Sequence, residues 1–307
     1  MLLHKLNYFS KIKNIIRTIR QNSTEIEFLR FNQGVILSKT LSGAEDINKA
    51  EFKVFSQWGE DGIIQFILKK LNYQVEPSFV EFGVQDFTES NCRFLLMKDL
   101  WRGLIIDGSK KNIEFVQKDP ISWRYQLTAC CRFINRENIE EIILQNGFGG
   151  RIGILSIDLD GNDYWIWENI KNVSPDIVIT EYNSIFGANR KVTIPYDKDF
   201  VRTKKHSSNL YWGASLAALN DLAEKKGYFL VGCNSNGNNA FFVSNNFTGK
   251  IEKKSPLQAF RNASFREARD KTGNLILTNQ LDAIKFIDHM AIFDLDGQKE
   301  IKIRDLV

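Results

Sequence analysis

The 307-residue chain reads as an α/β protein with a mostly parallel sheet, and three observations predict that class. Five short segments rich in branched apolar residues recur through its middle. Each of the first four is followed by a helix-like segment, and alternation of this kind builds parallel sheets covered by helices. After the fifth, a long irregular stretch and one strong helix lead into two apolar runs joined by an Asn/Gly turn, a hairpin signature.

The elements follow in order. SFVEFG (78–83) is the first strand, and Thr88, with Glu89 in the first turn, reads as the cap of a helix through RFLLMKDL. GLIID (103–107) is the second strand, followed by a short helix near Asn112–Gln117. YQLTACC (125–131) is the third, and Asn135 caps RENIEEIILQ, which Gly147 ends. GILSID (153–158) is the fourth, with a helix from YWIWENI, and DIVITEY (176–182) is the fifth. The stretch from Asn183 to about Asn209 is long for a connection and reads as a lid or binding loop. GASLAALNDLAEKK (213–226) is a helix, and GYFLVGCNSNGNNAFFV (227–243) supplies the hairpin, for seven strands in all. The expected organisation is a helical extension over 1–50, the sheet domain over 51–248, and a helical or mixed extension over 249–307 packing on that domain.

Composition is that of an ordinary globular protein, 43% hydrophobic and 25% charged. A formal charge of +4 is too small to argue for nucleic acid. The excess is uneven: Lys5, Lys11, Lys13, Arg17 and Arg20 face no acid in the first twenty residues, where Tyr8, Phe9, Ile12, Ile15, Ile16 and Ile19 recur at helical spacing. This basic amphipathic helix is expected to dock on its own domain or on a second subunit, giving a homodimer, ahead of lying on a membrane. No apolar run is long enough to span a bilayer and no secretory leader is read at the N-terminus. Cys92, Cys130, Cys131 and Cys233 lack CxxC spacing and suit buried thiols in a reducing, cytoplasmic setting.

Ligands of open α/β sheets bind beyond the carboxyl ends of the strands. The first strand ends in Glu81-Phe82-Gly83-Val84-Gln85-Asp86. A dinucleotide site would need GxGxxG to cradle a pyrophosphate on backbone amides. Here Gly83 stands alone between acids, which suits a cofactor with a positive centre and no phosphates. The second strand ends in Asp107-Gly108-Ser109, where a carboxylate can take both hydroxyls of a ribose. One ribose without a pyrophosphate points to S-adenosylmethionine.

The chain resembles the class I, Rossmann-like methyltransferases, and more narrowly is similar to the FkbM-like enzymes of bacterial capsule and lipopolysaccharide loci. SQWGEDGII (56–64), FVEFGVQD (79–86), LIIDGS (104–109), SIDLDGND (156–163), VITEYNS (178–184), YWGASLAAL (211–219) and the hairpin carry the resemblance, over about residues 55–245. SIDLDGND resembles the pattern K-I-D-V-E-G, with Ser156 for Lys and Asp160 for Glu. The resemblance implies a cofactor site at Glu81, Gly83, Asp107, Ser109 and Asp158, with Ser56 and Gln57 holding the cofactor's amino-acid end; Ser56 also reads as a plain helix cap.

Asp158, Asp160 and Asp163 crowd the end of the fourth strand, and Glu181 ends its neighbour with Asn183 two residues on. A sugar hydroxyl needs a general base or a cation to become nucleophilic. Asp160 and Glu181 with an amide oxygen make a plausible Mg²⁺ site, and both are expected to act in catalysis. Asp163 reads as a turn and helix cap. It also stands where the DGxH run of metal-dependent sugar O-methyltransferases has its His, and His206, in the lid, is the natural substitute as base. Asn183, Lys205, Tyr211 and Trp212 are expected to hold the acceptor, a nucleotide-activated heptose or hexose whose diphosphate meets Arg190, Lys191, Arg202, Lys204 and Lys205. The expected function is O-methylation of a sugar in capsule or lipopolysaccharide assembly. A lipid, polyketide or phosphoramidate acceptor, and a partner subunit that has lost its chemistry, are the alternatives. Nucleic-acid methylation ranks low without D/N-P-P-Y/F after the fourth strand.

Overall fold

The computed structural model describes residues 2–264, 268–276 and 280–306. Two compact units divide the chain, Met1–Gly43 and Ala44–Val307. The first is a single helix, α1 (Leu2–Thr40), ending in a 3₁₀ turn over Leu41–Gly43. The side chains of residues 2–10 and 12, among them Tyr8, Phe9 and Ile12 of the basic helix, lie outside the described ones.

The second unit begins with α2 (Glu60–Lys70) and then alternates: β1 (Ser78–Phe82), α3 (Arg93–Lys98), β2 (Arg102–Asp107), α4 (Lys110–Lys118), α5 (Ile121–Arg124), β3 (Leu127–Cys131), α6 (Ile139–Gln145), β4 (Gly150–Ile157), α7 (Asp163–Asn169) and β5 (Val173–Glu181). A two-residue strand β6 (Val192–Thr193) and the short α8 (Arg202–Lys205) follow. Then come α9 (Leu216–Lys225), β7 (Tyr228–Cys233), β8 (Asn239–Ser244), α10 (Pro256–Ala259), α11 (Gln280–Ile287), β9 (Ala291–Asp294) and β10 (Lys299–Lys302).

The main sheet runs β3-β2-β1-β4-β5-β8-β7. The first five strands are parallel and the hairpin β7–β8 adds antiparallel to β5, as the sequence predicts for a Rossmann-like sheet. Strand order reverses between β1 and β4, and a crevice opens at such a switch point. β1, β7 and most of β4, β5 and β8 are buried on both faces, which is why they read as continuous apolar runs rather than alternating ones. Trp167 of α7 anchors one face of this core, 5.2 Å from the Phe242 ring and 6.0 Å from Tyr228.

Two helix starts differ from the sequence reading. α3 begins at Arg93, because residues 87–92 turn back to Glu81: Ser90 Oγ accepts from the Arg93 and Cys92 amides, while Thr88 bonds Asp86 instead. α6 begins at Ile139, since Asn135 Oδ1 closes a local turn on the Glu137 and Asn138 amides.

A second sheet, β10-β9-β6, joins the expected lid to the C-terminal extension, which holds strands as well as a helix. Two residues of β6 cannot make a stable strand alone. Val192 and Thr193 pair with Asp294 and Phe293, and a satellite core of Val192, Ile194, Phe200, Tyr211, Ile287 and Ile292 forms beneath. The 183–212 stretch is therefore a packed roof.

Trp167→Ala is expected to lower the unfolding free energy by about 3–5 kcal/mol, the usual result of emptying a large buried aromatic site. Chemical denaturation monitored by far-UV circular dichroism measures it.

Candidate active site

The mouth of the sheet holds a cavity of about 680 Å³. Gln57, Gly83, Gln85, Asp107, Asp158, Asp160, Glu181 and Asn238 line it from the strand ends. Arg202, Asn209 and Trp212 of the roof and Arg269 and Leu275 of the C-terminal segment line it as well.

Gly83 makes the crevice possible. Its φ is +69°, and a Cβ there would lie 1.8 Å from the Asp158 carbonyl oxygen. The end of β1 thus presses backbone to backbone against the chain leaving β4, which only glycine permits. Two residues on, Gln85 donates its amide to Asp107 Oδ2 at 2.9 Å, and Asp107 Oδ1 accepts from the Ser109 amide at 2.7 Å and Asn112 Nδ2 at 3.3 Å. Asp107 is held at the rim of the cavity by three donors.

Glu81, expected to meet the cofactor, holds a loop instead, as do Asp61 and Asp163. Glu81 accepts from Ser90 Oγ, the Asn91 amide and the Cys92 amide, and burial pushes its carboxyl up to about 7 against those hydrogen bonds. It lines a smaller side pocket of about 120 Å³ shared with Gln57 and Gly83. Ser56 is fully buried and exchanges hydrogen bonds with Asp61, whose carboxylate also collects the amides of Val54, Phe55 and Ser56. That clamp presents Gln57 to the cavity, while Ser56 itself does not line it. Ser109 caps α4 through the Asn112 amide. Asp163 fulfils the turn reading: it accepts from the Leu159 and Gly161 amides, and burial pushes it to about 6.

Asp158, Asp160 and Glu181 come together, with an oxygen of each within 4.8 Å of the others. Asp158 is exposed to the cavity and to the side pocket, both of which it lines; the protein around it, then the charges of Glu181 and Asp160, hold its carboxyl well above the usual range. Glu181 is buried and moves the same way, first by desolvation and then by Asp160 and Asp163. Asn238 Nδ2 donates to Glu181 at 2.9 Å. Asp160 is exposed, sits at φ +55°, and pairs with Arg202 at 2.9 Å, whose guanidinium lies 4.6 Å over the Trp212 ring. Three convergent oxygens fit a hard divalent cation such as Mg²⁺, which takes few protein ligands and keeps waters.

The remaining residues fall elsewhere. Asn183 is buried and spent, donating to the Leu210 and Trp212 carbonyls and accepting from the Ile185 amide, so it positions the roof. Tyr211 donates its hydroxyl to Ala291 O at 2.6 Å inside the satellite core. Lys205 pairs with Asp197, and Lys191 with Asp221 and Asp296. His206 does not line the cavity: its Nδ1 meets Ser208 Oγ at 2.7 Å and its ring lies 5.4 Å from His289. Of the four expected acceptor residues, Trp212 alone lines the cavity.

Sequence reasoning missed Trp58, Asn238, Arg269 and Leu275 in the lining. The Asn-rich turn 234–239 was legible as a turn, but its side chains also reach Glu60 and Glu181. Nothing near Arg269 in the sequence marks it.

Gly83→Ala is expected to abolish ligand binding at the cavity, since no shift of a side chain frees the added methyl; isothermal calorimetry reads the loss. His206 is held below its ordinary value, first by burial and then by His289. A depressed histidine favours the fold above the unfolded value of roughly 6.5 and loses that contribution as pH falls through the folded value. The difference in melting temperature between His206→Gln and the native chain should therefore grow in the variant's favour from pH 8 to pH 5.5, by differential scanning fluorimetry.

No protein-family model matches the chain, and no curated protein matches it. Among solved structures, it is similar to the N-terminal domain of EvdMO1 with S-adenosylhomocysteine bound, at 12% identity and TM-score 0.39, over 72% of this chain and 94% of that one. The DszA carbon methyltransferase follows at 12% identity and TM-score 0.37, over 60% and 53% of the two chains. An S-adenosylmethionine-dependent methyltransferase from Clostridium acetobutylicum stands at 10% and 0.35, over 58% and 88%. At TM-scores below 0.5, what the cavity does is argued from its own residues.

Proposed function

We propose that the chain is an S-adenosylmethionine-dependent O-methyltransferase acting on a sugar hydroxyl. The observation that carries the reading is a cavity at the switch point lined by Asp107, Asp158, Asp160 and Glu181 against Arg202 and Arg269, with a single glycine in its first turn. An acid-rich crevice without a phosphate nest disfavours dinucleotides and favours a cationic donor carrying a ribose. Asp107, fixed by its three donors, is the acceptor for ribose hydroxyls, and Gln57 and Gln85 face the same space.

When bound, S-adenosylmethionine supplies an electrophilic methyl on a positive sulfur. The chain's part is to hold an alcohol in line with that methyl and to take its proton. The proton that the acceptor hydroxyl gives up on methylation, with sulfur keeping the pair of the bond that breaks, would pass to the Asp158–Glu181 carboxyl pair. Carboxyls raised toward neutral pH are matched to that task. They replace His206 as the proposed base, because His206 stands outside the lining. Asn238 orients Glu181, and Arg202 holds Asp160. Asp158, Asp160 and Glu181 would hold Mg²⁺ if the reaction uses one, and the cation would lower the hydroxyl's pKa.

Trp58, 40% exposed in the cavity lining, supports a sugar acceptor, since an aromatic surface suits the apolar face of a sugar, while Trp212 is buried beneath the Arg202 guanidinium. The acceptor's anionic part, a nucleotide diphosphate, is assigned to Arg269 rather than to Lys191 and Lys205, which are paired. Capsule or lipopolysaccharide assembly and FkbM-like membership rest on the sequence resemblance, and a cytoplasmic setting on the four cysteines, none of them in a disulfide. Among the described residues no helix is long and apolar enough to cross a membrane.

Radiolabelled S-adenosylmethionine incubated with a panel of nucleotide sugars, with Mg²⁺ and with EDTA, tests the proposal. Label should enter a sugar, and Glu181→Gln should lower kcat by about 10²–10⁴-fold. Asp107→Ala should weaken donor binding in calorimetry. Absence of donor binding by the native chain sinks the reading, and label in a non-sugar acceptor sinks the sugar assignment alone.

A further inference from the structure

Helix α1 spans 39 residues, about 58 Å at 1.5 Å per residue. Its compact unit contains nothing else but the 3₁₀ turn at its end. Single helices in water draw most of their stability from a packed face, yet here the large apolar side chains point outward. Ile15 is 58% exposed, Ile19 62%, Ile26 56%, Leu29 67% and Ile36 63%.

These five are not scattered. Ile15, Ile19, Asn22, Ile26, Leu29, Gln33 and Ile36 follow one another by alternating steps of four and three, and in the sequence the same spacing continues back to Ile12. Alternating steps of this kind make a 3.5-residue repeat, the period of a coiled-coil seam rather than of a face that wraps a globular core. Ile12, Ile19, Ile26 and Gln33 then occupy one core position of the heptad, and Ile15, Asn22, Leu29 and Ile36 the other.

The flanking charges select the partner. Glu25 precedes the core Ile26, and Arg30 follows the core Leu29. Five residues apart, they do not face each other on one helix. In a parallel pair in register, the first of these flanking positions lies against the second on the opposite chain, so Glu25 meets Arg30 twice by symmetry. Lys13, Arg17 and Arg20 fall on the outer side of the same frame. A lipid-lying helix would not place Asn22 and Gln33 within its apolar stripe.

We propose that two copies of this chain associate through α1 as a parallel, in-register coiled coil.

The test uses the full-length protein. Multi-angle light scattering at micromolar concentration should give the mass of two chains. Ile19→Asp with Ile26→Asp should give the mass of one. Glu25→Arg alone and Arg30→Glu alone should each raise the dimer dissociation constant about tenfold, and the two together should restore it; these variants leave the apolar stripe intact, so a folding defect is not confused with lost pairing. Leu29→Cys should form an intermolecular disulfide under mild oxidation in which the native chain forms none. A single-chain mass for the native protein, a mass of three or more, a dimer that survives the double Asp variant, or no disulfide from Leu29→Cys overturns the proposal. A monomer that co-sediments with phosphatidylserine-containing vesicles assigns the stripe to lipid instead.

Discussion

The mouth of this sheet depends on buried carboxylates that accept hydrogen bonds from loop backbone. Asp61 gathers the Val54, Phe55 and Ser56 amides, Glu60 those of Trp58 and Gly59, Glu81 those of Asn91 and Cys92, Asp107 those of Gln85 and Ser109, and Asp163 those of Leu159 and Gly161. Each arrangement answers two needs at once. A loop over a strand end buries amides that have no ladder partner, and a buried charge requires donors. The two penalties cancel only if the side chain is short and placed within a few residues of the loop. That explains why acids cluster after the strands even where no ligand is concerned. Burial still pushes Asp61 to about 6 and Glu81 to about 7, so the amides offset the desolvation only in part.

Against these clamps, Asp158 and Glu181 stand out because neither accepts from a backbone amide among the described residues. Glu181 has Asn238, and Asp158 has the repulsion of its neighbours. The difference separates acids that hold the site from acids able to act in it. It is not written in spacing. Asp158 and Asp163 look alike in SIDLDGND, yet one faces the cavity and the other ties the turn. The strands were legible because burial on both faces leaves continuous branched runs, and Gly83 because a lone glycine after a strand marks a close backbone approach. His206 and Lys205 look like catalytic and substrate groups by composition of the lid, but a charged or titratable side chain finds its partner in three dimensions. Asp197 and His289, eight residues before Lys205 and 83 after His206, are those partners.

The roof shows the same limit at longer range. Read locally, residues 183–209 are a long, irregular lid or binding loop. Their apolar side chains, Val192, Ile194 and Phe200, gather with Phe186 and, just past the stretch, with Leu210 and Tyr211, but need a further layer to close the core. That layer arrives about a hundred residues later, as β9 and the helix before it. Leu295 also donates its amide to the Lys191 carbonyl, extending that contact past the strand. Pairing of such distant segments is invisible to periodicity because two residues of β6 carry no period.

This construction also separates the two halves of the site by origin. The floor consists of strand ends whose backbone is fixed by the sheet, and Gly83, Asp107, Asp158 and Glu181 cannot shift without breaking ladder pairs beside them. The roof has its own core, and among its contacts with the layer below are the Arg202–Asp160 pair, Asn162 Nδ2, which donates to the Asp197 carbonyl at 2.8 Å, and Trp165 Nε1, which donates to the Ile194 carbonyl at 2.9 Å. Arg269 belongs to the far edge of the roof: its amide donates to Ser208 O, and its guanidinium to Gly273 O. A change of loop sequence there alters the lining at Arg269 and Leu275, which are distant in sequence from Asp107, Asp158 and Glu181. For the proposed reaction, in which a donor must meet a fixed geometry and the acceptor varies, a floor set by the sheet and a roof with its own core let one vary while the other holds.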